Sequence, residues 1–168
     1  ILKRRSAAGK RQGNAVDLFQ DIEAVTQRKS EDAPRFLKEL SLITSRESIA
    51  RSYRAFEMAS RFCRVVLLNT RNMGNPETVR SLLVARLNAL NSMPHPYVIF
   101  FKALFRLASE DGFPVRQAWL ERLKPASRNA AQSILETPLS ALDTVHGDLA
   151  TLTEQLESWL AREQDFRF

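Results

Sequence analysis

The residues of this chain that could carry catalysis are two histidines, one cysteine and a few acidic pairs, and their spacing does not suit it. His95 and His146 are far apart, and neither has a carboxylate or a second histidine at metal-ligand spacing on one helix face. His95, between Pro94 and Pro96, reads as a loop residue, and His146, before Gly147, as a helix-end residue. Cys63 is the sole cysteine, so neither an intrachain disulfide nor a thiolate-clustered zinc site can form, as in proteins of a reducing cytosol. The stretch Ser6–Arg11, SAAGKR, carries the glycine and lysine of a phosphate loop. The earlier glycine is missing, however, and Arg11 stands where a magnesium-binding hydroxyl belongs. There is no G-x-S-x-G elbow. Glu110 and Asp111 sit just before Gly112, where a helix end in solvent accounts for them. A binding protein is expected rather than an enzyme, with no cofactor and no metal.

Charge supplies the positive evidence. The chain has 25 basic and 19 acidic residues, a net charge of +6. The excess is concentrated at one end: Lys3, Arg4, Arg5, Lys10 and Arg11 precede Gly13 with no acid among them, and the rest is close to balance. Cations gathered in this way attract phosphates by charge alone and release counterions on binding, so such contacts are strong at low salt. Arg51, Arg54 and Arg61 would add a second strip of phosphate contacts on a helix, with Arg64 and Arg71 towards its edge and Glu57 interrupting the row. Phe19 is placed to stack on a base, or to pack beneath the basic segment. The alternative is a solubilising tail and a solvated helix face.

These residues need elements to hold them. A chain of 168 residues is long enough to bury a core. NAVDLFQDIEAVTQRK reads either as a strand, with Val16, Leu18, Ile22 and Ala24 on one face, or as a helix capped by Asn14. Gly9 and Gly13 favour a turn between two strands, and hence a hairpin. From Thr44 onward the pattern is helical. Thr44 and Glu47 have the spacing of a capping box, and Ile49, Tyr53, Phe56, Ser60, Cys63 and Leu67 trace a stripe expected to be buried. Gly74 suits the end of that helix, Asn75 the cap of the next, and Pro76 its first turn, with Val79, Leu82, Leu83, Leu87 and Leu90 on the apolar face. YVIFFKALFRLASEDGF is apolar nearly all round, apart from Lys102, Arg106 and Glu110, and reads as the central buried helix, ended by Gly112 and Pro114. Two or three further helices cover the remainder. The longest uncharged stretch, Leu87–Phe101, is broken by two prolines and too short to cross a bilayer. The chain starts without a methionine or a signal-like apolar segment, and an N-terminal part is expected to precede it. The expected fold is mainly α: residues 1–43 as the later part of a β domain and 44–168 as a helical bundle.

This order of features resembles the RecO family of recombination mediators. The basic Gly-containing segment runs into VDLFQDIEAV, RFLKELSLI leads into a long helix, an apolar helix ends at DGFP, and a Leu-rich tail closes with WLAREQDFRF. The resemblance implies that residues 1–43 are a partial OB-fold lacking its first strands. It further implies binding to single- and double-stranded DNA, annealing of complementary strands, partnership with RecR and docking of the acidic C-terminal tail of single-stranded DNA-binding protein, in the bacterial cytoplasm and not at a membrane. Lys3, Arg4, Arg5, Lys10 and Arg11 match the family's basic OB-fold loop, and Arg28 and Lys29 extend it. Lys102 and Arg106, cations on a greasy helix, are the positions for an acidic peptide ending in an aromatic residue. Many members carry a four-cysteine zinc module after the position of Pro114. Here VRQAWLERLKPASRNAA has none, so no zinc is expected. The other reading is a helical adaptor whose basic head binds an acidic protein.

Overall fold

The computed structural model describes residues 16–31, 33–70, 73–141 and 148–168. The protein is mainly helical, with seven α-helices among the described residues and a small antiparallel sheet ahead of them. It divides into two units at the Ser45–Arg46 boundary. Gly9 and Gly13, and the hairpin turn expected there, lie outside the described residues.

In the first unit, β1 (Asp21–Gln27) pairs antiparallel with β2 (Phe36–Thr44), matching Ile22 with Leu42 and Ala24 with Leu40. The strand reading of DIEAV therefore holds and the helical one does not occur. Val16 and Leu18 stand outside the strand, because the chain turns at Leu18–Phe19, where Phe19 adopts φ 62° and the Gln20 side chain accepts from the Asp17 amide at 3.0 Å. RFLKELSLI, read only as a lead into helix, supplies the partner strand. Apart from Asp21 and Thr44 at the strand ends, every strand residue is exposed, Ile22, Leu37, Leu42 and Ile43 among them. Two strands with no covered face are marginally stable in water.

The second unit opens with α1 (Glu47–Arg51) and α2 (Tyr53–Asn69), which break at Ser52. The expected capping box does not form. Thr44 belongs to β2, Arg46 is the N-cap residue of α1 and gives no side-chain cap, and the Ser52 hydroxyl instead accepts from the Ala55 amide at 3.3 Å. The break re-phases the helix. Ala55, Met58, Ala59, Phe62, Val65, Val66 and Asn69 face the core, while Tyr53 and Leu67 from the expected stripe are 80% and 75% exposed. Both stripes have helical spacing, and the one that includes the small Ala55 and Ala59 is the one packed against α3 and α4.

α3 (Pro76–Ser92) starts as read: the Asn75 side chain accepts from the Glu77 and Thr78 amides at 3.1 and 3.2 Å, and Pro76 occupies the first turn. Gly74 is not a left-handed cap; its amide donates to Asp111 Oδ1 at 3.2 Å. α4 (Pro96–Glu110) is the centre of the unit, buried from Val98 to Ala108 except at Lys102 and Arg106, and packed against α2, α3 and α7. It stops in a Schellman motif, with Phe113 N–H donating to the Ala108 carbonyl at 3.1 Å, Gly112 N–H to Ser109 at 3.2 Å, and Gly112 at φ 88°. The Phe113 ring then meets Phe166 edge-on at 6.0 Å. α5 (Val115–Ala118), a 3-10 turn at Leu120–Arg122, α6 (Pro125–Glu136), a second 3-10 turn at Leu139–Ala141 and α7 (Leu149–Glu163) complete the unit. The tail after α7 is held by Asn69, whose side chain donates to the Arg167 carbonyl at 2.8 Å and accepts from its amide at 3.0 Å. No helix among the described residues is long and apolar enough to cross a membrane.

Candidate nucleic-acid interface

The basic residues fall into three groups with different structural roles. Lys3, Arg4, Arg5, Lys10 and Arg11 lie outside the described residues. Arg28 and Lys29 are exposed on the loop that joins β1 to β2, and the loop folds back on itself where Arg28 Nη1 donates to the Glu31 carbonyl at 3.1 Å. Arg35 and Lys38, which the sequence reading passed over, are exposed on the same hairpin, at the end of the loop and on β2. Their signal was present in the sequence as cations interleaved with apolar strand residues. Phe19 is half-buried, in the turn before β1.

The expected row on the first long helix is divided. Arg51 ends α1 and pairs with Glu47 at 3.2 Å, both side chains well exposed. Arg54 and Arg64 are exposed on α2 and make no ion pair among the described residues, so their guanidinium groups face solvent. Arg61, though exposed, is engaged at the surface of the bundle, pairing with Glu157 of α7 at 2.7 Å and lying 4.7 Å over the Phe100 ring. Burial pushes the Glu157 carboxyl up in pKa, and the neighbouring Arg61 only partly offsets this. The contact therefore links α2 to α4 and α7, and the part of the Arg61 side chain that stays exposed is already paired. Arg71 and His146 lie outside the described residues.

Lys102 and Arg106 also separate. The Lys102 ammonium donates to the carbonyls of Ile134, Leu135 and Thr137 at 2.9, 3.0 and 2.6 Å, which places all three of its donors on the C-terminal end of α6. Half-burial lowers its pKa, with Arg86 adding to the shift. Arg106 remains exposed on the next turn and pairs with Glu110. Periodicity put the two cations on one stripe and could not show that α6 ends against the first of them.

The residues weighed for catalysis stay apart. His95 precedes α4 at φ 67°, as a loop residue. Cys63 is half-buried on α2, and burial raises its thiol pKa, with Arg46 opposing, so the thiolate is disfavoured at neutral pH. No group of three or more His, Cys, Asp or Glu side chains that could hold a metal occurs among the described residues. Sequence reading also missed Arg46, which is only 2% exposed and whose Nε donates to Asn88 Oδ1 at 2.8 Å.

Comparison with protein-family models, with curated proteins and with solved structures returns no match.

Proposed function

We propose that the chain is a non-enzymatic DNA-binding recombination mediator of the RecO type. In this reading it anneals complementary strands and helps load recombinase onto single-stranded DNA coated with its binding protein, in the bacterial cytoplasm. The observation that carries the reading is the concentration of five cations in residues 3–11, directly ahead of an antiparallel hairpin that is itself followed by a helical unit. The hairpin then stands for part of an OB-fold, with Arg28 and Lys29 continuing the basic surface and Arg51, Arg54 and Arg64 adding a strip on the helical unit. Single- and double-stranded DNA, RecR and the acidic tail of single-stranded DNA-binding protein are the partners. No cofactor enters the reaction.

Fluorescence anisotropy with a labelled single-stranded oligonucleotide, across a salt series, tests this. Exchanging Lys10 and Arg11 for Glu is expected to weaken binding and to reduce the slope of log K against log salt by roughly 1.4, for two lost phosphate contacts. Helical content, read by circular dichroism, should not change. Unaltered affinity would remove the basic segment from the interface. The exposed Tyr53 and Leu67 on α2 favour the second reading, a helical adaptor that binds an acidic protein. Absence of DNA binding at low salt would select it.

A further inference from the structure

An open groove of about 450 Å³ runs between α3 and α4, lined by Thr78, Ser81, Leu82, Arg86 and Arg106, with Glu77 and Glu110 at its borders. Arg86 is its unusual member. The residue is half-buried, and its Nε is sealed from solvent without a hydrogen-bond acceptor. Neither carboxylate of the groove pairs with Arg86: Glu110 pairs with Arg106, inside the groove, and Glu77 with Arg80 at 3.8 Å. What acts on Arg86 instead is burial and then the like charge of Arg106, and both lower its pKa. Arg86 in turn depresses Lys102. A charge withdrawn from water is ordinarily paired, since an uncompensated one is costly. Lys102 meets that need with three carbonyl oxygens, and Arg86 has no counterpart among the described residues.

We infer that this groove is a phosphate site, with the Arg86 and Arg106 guanidinium groups as its forks and the Thr78 and Ser81 hydroxyls as additional donors. Donor number decides for phosphate over carboxylate. A guanidinium presents five N–H groups in a fixed fork that matches phosphate oxygens in pairs. The Arg86 Nη groups, the Arg106 N–H groups not held by Glu110 and the two hydroxyls still exceed what the two oxygens of a carboxylate take up, and they suit the oxygens of a phosphate group. The Arg106–Glu110 contact orients one fork and leaves its other N–H groups free, because the Arg106 side chain is 62% exposed. Leu82 supplies an apolar wall. The phosphate can belong to a free phosphate or to a nucleic-acid backbone, since the recognition chemistry is the same.

Thermal unfolding of the full chain is measured against inorganic phosphate, with ionic strength held constant by potassium chloride. A saturable rise in Tm is expected for the unaltered protein. Arg86→Met, which keeps the side-chain volume, should weaken the apparent affinity roughly tenfold or more, as loss of a charge-assisted hydrogen-bond pair implies. Arg106→Gln and the double variant Thr78→Ala with Ser81→Ala should each weaken it less, and they decide the matter should Arg86→Met not fold. The Lys10 and Arg11 variant should respond to phosphate as the unaltered protein does, which separates this site from the proposed DNA interface. An oligothymidylate without terminal phosphates serves as competitor: displacement of phosphate assigns the site to a nucleic-acid backbone, and failure to displace assigns it to free phosphate. No saturable response, an equal response in Arg86→Met, or binding only of a peptide bearing carboxylates would each overturn the inference.

Discussion

At the scale of single residues, the helical unit uses its polar side chains to finish backbone hydrogen bonding where helices end. Lys102 closes the end of α6, and Asn69 holds the tail at Arg167 while also donating to the Val65 carbonyl at 2.7 Å. Replacing Lys102 with Met should leave half-buried carbonyls without donors and cost about 1–3 kcal/mol, measured by chemical denaturation. A charge-reversed residue there should be worse, because it would set a carboxylate against carbonyl oxygens. Arg61 illustrates the same point for candidate DNA contacts. A cation identified by spacing alone proved to be tied to Glu157 and stacked on Phe100.

At the scale of elements, two termini make testable demands. Gly112 lies at φ 88° with open space where a side chain would begin, so Gly112→Ala meets no neighbour and suffers only backbone strain. The expected loss is about 1–2 kcal/mol, read as a lower denaturation midpoint with an unchanged m-value. At the start of α7, Asp148 accepts from the Thr151 amide at 3.0 Å and from its hydroxyl, and these bonds lower the carboxyl pKa. A depressed folded pKa means stability that is present above the ordinary carboxylate range and is lost as pH falls through the lowered value. Asp148→Asn retains a capping oxygen but does not titrate, so its stability should vary less with pH over that acidic window.

At the scale of the whole molecule, the two units differ sharply in how much surface they bury. The hairpin exposes nearly every strand residue, whereas Ile99, Phe101, Leu104 and Ala108 of α4 are fully buried. Local opening free energies should follow that difference. Hydrogen exchange is expected to be slowest in the α4 amides and faster in β1 and β2 by orders of magnitude. Equal protection in both would mean that the hairpin is covered by something in solution.

Strong local chemistry made much of this molecule legible in the sequence. Asn75–Pro76 began α3, Gly112–Pro114 ended α4, and the run between Tyr97 and Ala108, apolar but for Lys102 and Arg106, marked the central helix, because caps, left-handed glycines and near all-round hydrophobicity act within a turn or two of chain. The inner face of α2, the pairing of RFLKELSLI with β1, the engagement of Lys102 and Arg61 and the half-burial of Arg86 were decided only by tertiary contacts. Two helical stripes of similar quality compete on α2, and only the break at Ser52 and the neighbouring helices select between them. Whether a cation meets solvent, a carboxylate or a helix end likewise depends on residues distant in the chain, and the spacing of basic residues does not encode it.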